Sequence, residues 1–171
     1  MEPRAAKTCG SCSACCKVLR IEAPEFTKPA GQWCAHCRPG EAGGCTIYGT
    51  RPMVCRDYRC AWLQLDKLPD EYRPDKLKVM FSFEENPLKD AKNRHYAVAR
   101  SLQGPDMYEK PAALDAIAGL IALGFDVHLS WGDSKTRVVP RYDTLGRLNA
   151  LDMPADRGKS VRRKKVAEGK R

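Results

Sequence analysis

In the second half of the chain, apolar residues recur in regular patterns, and each pattern predicts an element. Residues 76–83 (Lys-Leu-Lys-Val-Met-Phe-Ser-Phe) alternate polar and apolar positions, which predicts a strand buried on one face. Asn86-Pro87 breaks it, and the residues up to 93 read as a loop. Residues 95–102 predict a second strand, the antiparallel partner of the first, ended by Gly104-Pro105. Residues 111–123 place Leu114, Ile117, Leu120, Ile121 and Leu123 on one broad apolar face, with Pro111 to start a helix and Gly124 to stop it. Residues 125–131 alternate as a third strand with Trp131 in its core, and 132–134 turn into a fourth strand over 135–140. The order strand, strand, helix, strand, strand predicts an α+β unit over about 74–142: a small antiparallel β-sheet with one packed helix.

The first sixty residues lack this periodicity. Residues 1–8 read as a disordered lead, 9–60 as a Gly- and Pro-rich module, and 61–73 as a connector. Within the module, 45–48 alternates like a brief strand and Gly49-Thr50 turns. Arg51-Pro52 opens a short helix with Pro at its first position, where a missing N–H does no harm. Cys55 then falls one turn into that helix and Cys60 at or just past its end. A core this thin must be stapled by something other than burial.

Composition supplies the staple. All nine cysteines fall in this module: Cys9, Cys12, Cys15, Cys16, Cys34, Cys37, Cys45, Cys55 and Cys60. The chain begins without a hydrophobic leader, so a cytoplasmic location is expected, where stable disulfides are disfavoured. The odd count would also leave one thiol over. No apolar run approaches the roughly 18–20 residues that cross a bilayer. The demand that gathered the cysteines is therefore a soft metal, zinc or an iron–sulfur cluster.

Spacing agrees. A Cys-x-x-Cys step lets two thiolates point at one ion through a tight turn. Cys9-Gly10-Ser11-Cys12-Ser13-Ala14-Cys15 takes that step twice over small residues, and Cys34-Ala35-His36-Cys37 takes it again. Adjacent side chains usually diverge, which would assign Cys15 and Cys16 to different sites or leave one of them a structural role. The Cys9–Cys12–Cys15 run leans toward a ferredoxin-type loop, although its fourth cysteine is adjacent rather than a few residues on. Paired steps far apart in sequence fit structural zinc as well, so both metals stay open, nearly even. Arg51 and Arg56 would offset thiolate charge in either case.

Two segments carry a family resemblance. Cys9-x-x-Cys12-x-x-Cys15-Cys16, together with Cys45-Thr46-Ile47-Tyr48-Gly49-Thr50-Arg51-Pro52-Met53-Val54-Cys55-Arg56, resembles the CxxCxxCC cysteine-cluster (YkgJ-like) proteins. These are described as zinc- or iron-chelating domains. The resemblance covers about the first 60 residues and implies chelation, with no defined activity attached.

Other features have blander readings. His36 lies between two candidate ligands but reads as a surface residue, and His95 and His128 as sheet-face residues. Trp33, Trp62, Tyr48 and Tyr58 flank the thiols and would shield them from water. The formal charge of +9 is concentrated between 157 and 171, so 152–171 reads as a basic disordered tail. Such a tail is either a solvated end or a weak contact to nucleic acid or an anionic surface. Side-chain catalysis has no foothold: Gly-x-Ser-x-Gly, the P-loop, the dinucleotide fingerprint and His-Glu-x-x-His are all missing. The expected function is metal binding, with oxidoreductase or electron-transfer use of the centre. The alternative is a zinc-stabilised interaction module, binding protein or nucleic acid, without catalysis.

Overall fold

A computed structural model of the chain describes residues 7–41, 44–88, 95–132 and 135–139, the last as backbone. The basic tail, the lead before Lys7 and the loop over 89–94 lie outside the described residues.

The second half is α+β, as its periodicity predicts. Strands β3 (Val79–Glu85), β4 (His95–Ser101), β5 (Val127–Trp131) and β6 (Lys135–Val139) form a four-stranded sheet in sequence order. Helix α5 (Pro111–Ala122) connects β4 to β5. One expectation is corrected: the sheet is mixed rather than antiparallel, because β4 and β5 run parallel. The cause is the helix between them. Twelve helical residues span about 18 Å, close to the length of a strand of this size. The helix thus returns the chain to the end where β4 began, so β5 must run the same way.

Register explains the core. Phe83, Ala97 and Val127 stand opposite one another, as do Phe81, Ala99 and Leu129. This face receives Ala113, Ile117 and Ile121 of α5, with Val79, Ala97, Ala99 and Val127 fully buried. Leu123 of the predicted stripe falls past the helix end and is 76% exposed. Gly124, at φ 89°, stops the helix, and the Phe125 N–H closes back on the Leu120 carbonyl at 3.1 Å. Tyr108 locks the sheet from within: its hydroxyl accepts from the Ser101 N–H and reaches the carbonyls of Ala99 and Ser130. Trp131, expected in the strand core, is 37% exposed at the strand end.

The other face of the sheet carries Met80, and residues of the cysteine region pack there. Ala14, Val18, Cys60, Trp62, Met80 and Leu102 form a second core, smaller than the first. The sheet thus lies between α5 and the cysteine region.

That region holds more regular structure than its composition suggests. It contains α1 (Ala14–Val18), a hairpin of β1 (Ile21–Glu22) and β2 (Thr27–Lys28), and α2 (Met53–Asp57). The expected strand over 45–48 is instead a single bridge, Cys37 to Cys45, followed by a 3₁₀ turn at Tyr48–Thr50. Pro52 is the N-cap of α2 rather than its first helical residue. Cys60 does not end α2; it precedes a further helix, α3 (Ala61–Gln64), inside the expected connector. The chain continues through α4 (Pro74–Leu77) into β3. Gly31, at φ 78°, lies so close to Gly132 that a Cβ there would stand 2.9 Å from the Gly132 Cα. Only glycine permits that approach of the cysteine region to the end of β5.

Candidate metal centre

Two of the three Cys-x-x-Cys steps are turns closed by the backbone. The Cys12 N–H donates to the Cys9 carbonyl at 2.8 Å, with Gly10 at φ 53° where a side chain would be strained. The Cys37 N–H likewise donates to the Cys34 carbonyl at 3.0 Å. The Cys34 N–H donates to the Cys16 carbonyl at 2.9 Å, joining two segments far apart in sequence.

The thiols fall into two neighbouring sets. Cys9, Cys12, Cys15, Cys55 and Cys60 line a cavity of about 250 Å³. Its walls also carry Lys7, Arg51, Arg56 and Arg59, and no carboxylate among the described residues. The other set is Cys16, Cys34, Cys37 and Cys45, which are not among the lining residues. There the Cys16 thiol is within hydrogen-bonding reach of Cys37, and Cys55 feels the thiols of Cys16, Cys34 and Cys45. Cys15 and Cys16 do not diverge as expected: their thiols are within hydrogen-bonding reach of each other, so Cys15 links the sets. Among the described residues, no three Cys, His, Asp or Glu side chains converge closely enough to hold a metal ion.

Burial is the largest cause of the raised pKa at several of these thiols. It pushes Cys12 up to about 11 against the opposing N–H groups of Ala14 and Asp75. Burial and the neighbouring Cys16 push Cys37 up to about 11. The hydrogen bond with Cys15, then burial, raise Cys16 well above the ordinary thiol range. Cys9 is raised by burial and by Cys60; Cys60 is raised by burial against the N–H groups of Leu63 and Trp62. Raised in this way, these thiols hold their protons at neutral pH in the absence of a cation. A cation arriving among them would displace those protons and take thiolate ligands.

Sequence reasoning missed Lys28. This side chain is 6% exposed, and its ammonium donates to the carbonyls of Leu19 (2.5 Å), Gln32 (2.9 Å), Pro29 (3.0 Å) and Lys17 (3.2 Å). Burial lowers its pKa, while the thiols of Cys34, Cys16 and Cys15 push it back up. It is an internal cation tying α1 to the loop that leads into Cys34. One lysine in Phe-Thr-Lys-Pro gives no signal of this. Asp75, held by Arg73 at 2.6 Å, was also missed; it reaches Cys12 from α4. Lys7 was passed over as part of the lead, yet its ammonium donates to the carbonyls of Trp62, Leu65 and Leu68 at the end of α3.

The flanking aromatics divide. Trp62 is buried against Cys60 and its indole N–H donates to the Pro69 carbonyl, whereas Trp33 is 42% exposed with Lys17 over its ring. Tyr58 packs on the second core and Tyr48 is exposed. The His36 ring stands edge-on to Phe26, His95 pairs with Glu85 and the His128 ring lies against Tyr96.

Comparison of the chain with protein-family models, with curated proteins and with solved structures finds no match. Among the described residues, no helix is long and apolar enough to cross a membrane.

Proposed function

We propose that this chain is a metal-binding cysteine-cluster protein that holds an iron–sulfur cluster in the cavity between Cys9, Cys12, Cys15, Cys55 and Cys60. The observation that carries the reading is the pairing of five thiols with basic walls around one space. A cluster held by thiolates is anionic, and Lys7, Arg51, Arg56 and Arg59 supply the opposing charge. Five thiols around one cavity can supply the four thiolates that a cluster of several atoms takes. When bound, such a cluster supplies one-electron transfer. The chain's own residues bind it, and Trp62, Tyr58 and Met80 keep water from one side. The resemblance to the CxxCxxCC proteins points the same way and rests on the two quoted motifs.

A second reading is favoured by the other thiol set. Cys16, Cys34, Cys37 and Cys45 lie on segments joined by the Cys34–Cys16 backbone bond, the Cys34–Cys37 turn and the Cys37–Cys45 bridge, and a closure of these segments around one ion would supply the four thiolates of a structural zinc. The protein would then be a zinc-stabilised interaction module. Anaerobic purification of the full chain, followed by a visible spectrum and analysis of iron, sulfide and zinc, separates the readings. Brown protein with matched iron and sulfide is expected. Colourless protein with stoichiometric zinc overturns the cluster, and metal-free protein overturns both.

A further inference from the structure

Among the described residues, the buried side-chain donor left without a partner is the Nε of Arg51. Two of its basic neighbours on the cavity wall, Lys7 and Arg59, have carbonyl partners. Lys7 spends its ammonium on the three carbonyls at the end of α3, and Arg59 donates to the Leu63 carbonyl at 3.1 Å. A buried donor on a charged group is costly to leave unmet.

Arg51 is also held in place. The Tyr48–Thr50 turn precedes it and the buried Pro52 follows it. Its guanidinium carbon lies 3.8 Å from the centroid of the Tyr48 ring, a stack that fixes the plane of the fork. It faces the cavity beside Cys9 and Cys55, and its charge acts on both thiols.

We infer that Arg51 is a positioning residue for the metal centre, donating from Nε to an anionic sulfur of the group in the cavity. The inference rests on the reading of that cavity as a metal site. A charge-assisted N–H···S bond draws electron density from the sulfur and favours the more negative, reduced state of a cluster. It also lowers the cost of gathering several thiolates in one space.

The test compares the full-length wild type with Arg51→Met, Arg51→Lys and Tyr48→Leu, all purified anaerobically. Metal affinity is measured by competition with a chelator, and the reduction potential by redox titration wherever iron is present. Arg51→Met should lose about 10–100-fold in metal affinity, as supporting partners of ligands do, and shift a cluster potential negative. Arg51→Lys keeps the charge without the planar fork and should recover only part of the loss. Tyr48→Leu leaves Arg51 and every thiol in place and should give a smaller shift of the same sign. Arg51→Met and Tyr48→Leu proteins that match wild type in affinity and potential would overturn the role of Arg51 and leave the metal centre standing. A wild type that carries neither iron nor zinc would overturn both.

Discussion

The face of the sheet under α5 buries Val79, Ala97, Ala99 and Val127 completely, along with Ile117 and Ile121 from the helix. The opposite face meets a smaller core of Ala14, Val18, Cys60, Trp62, Met80 and Leu102. Helix α2 buries no residue at all. One region is thus held by apolar area in strict register. The other is held by backbone turns and an internal ammonium, with little apolar area behind them. Periodicity announces the first kind of order, and it is blind to the second.

Removal of metal should separate the two regions most strongly. Structural zinc contributes on the order of 10–16 kcal/mol to the fold around it. Chelation of the native protein, or Cys12→Ser or Cys55→Ser, should open residues 9–60 to protease while amides of β3, β4 and β5 stay protected from hydrogen exchange. Equal protease resistance before and after chelation would mean that packing alone holds the cysteine region.

Paired substitutions sharpen the contrast. Ile117→Ala should cost about 2–5 kcal/mol through a cavity under α5, with little effect on metal content. Lys28→Met touches no thiol, but it strips the donor from four carbonyls, each orphaned acceptor costing about 1–3 kcal/mol if buried. It should lower metal content as well as stability. If both variants lose metal to the same extent, the regions are not energetically distinct.

The smallest expected effect lies on the polar end of the sheet face. Burial works against the Glu84 carboxylate, but bonds from Arg100 (2.5 Å), Tyr96 (3.1 Å) and Ser82 (3.3 Å) outweigh it and hold its pKa below the ordinary glutamate value. A depressed folded pKa contributes stability that is full above the unfolded value and is lost as pH falls through the folded one. Glu84→Gln should therefore flatten the loss of stability below about pH 4.5, by no more than about 1 kcal/mol for so accessible a pair. An unchanged acid profile in Glu84→Gln would place the acid sensitivity elsewhere.

What could be read beforehand follows the same division. The strand and helix over residues 76–83 and 111–123 were legible because burial on one face imposes a period on the sequence. The parallel pairing of β4 and β5 was not, since it depends on how far α5 carries the chain before β5 begins. Cys60 was expected at or just past the end of the helix that holds Cys55. In the fold, Cys60 precedes α3 instead, because the chain leaves α2 through an extended Tyr58.

By itself, the sequence determined that thiols crowd one region and that an α+β unit follows it. Cysteine content and hydrophobic period are properties of the chain written out in a line. The tertiary structure decided which thiols share a cavity, that Cys15 touches Cys16, and that Arg51 faces them with an unmet donor. Those are distances between segments far apart in the chain, set only when α1, the Cys34–Cys37 turn and α2 fold against one another.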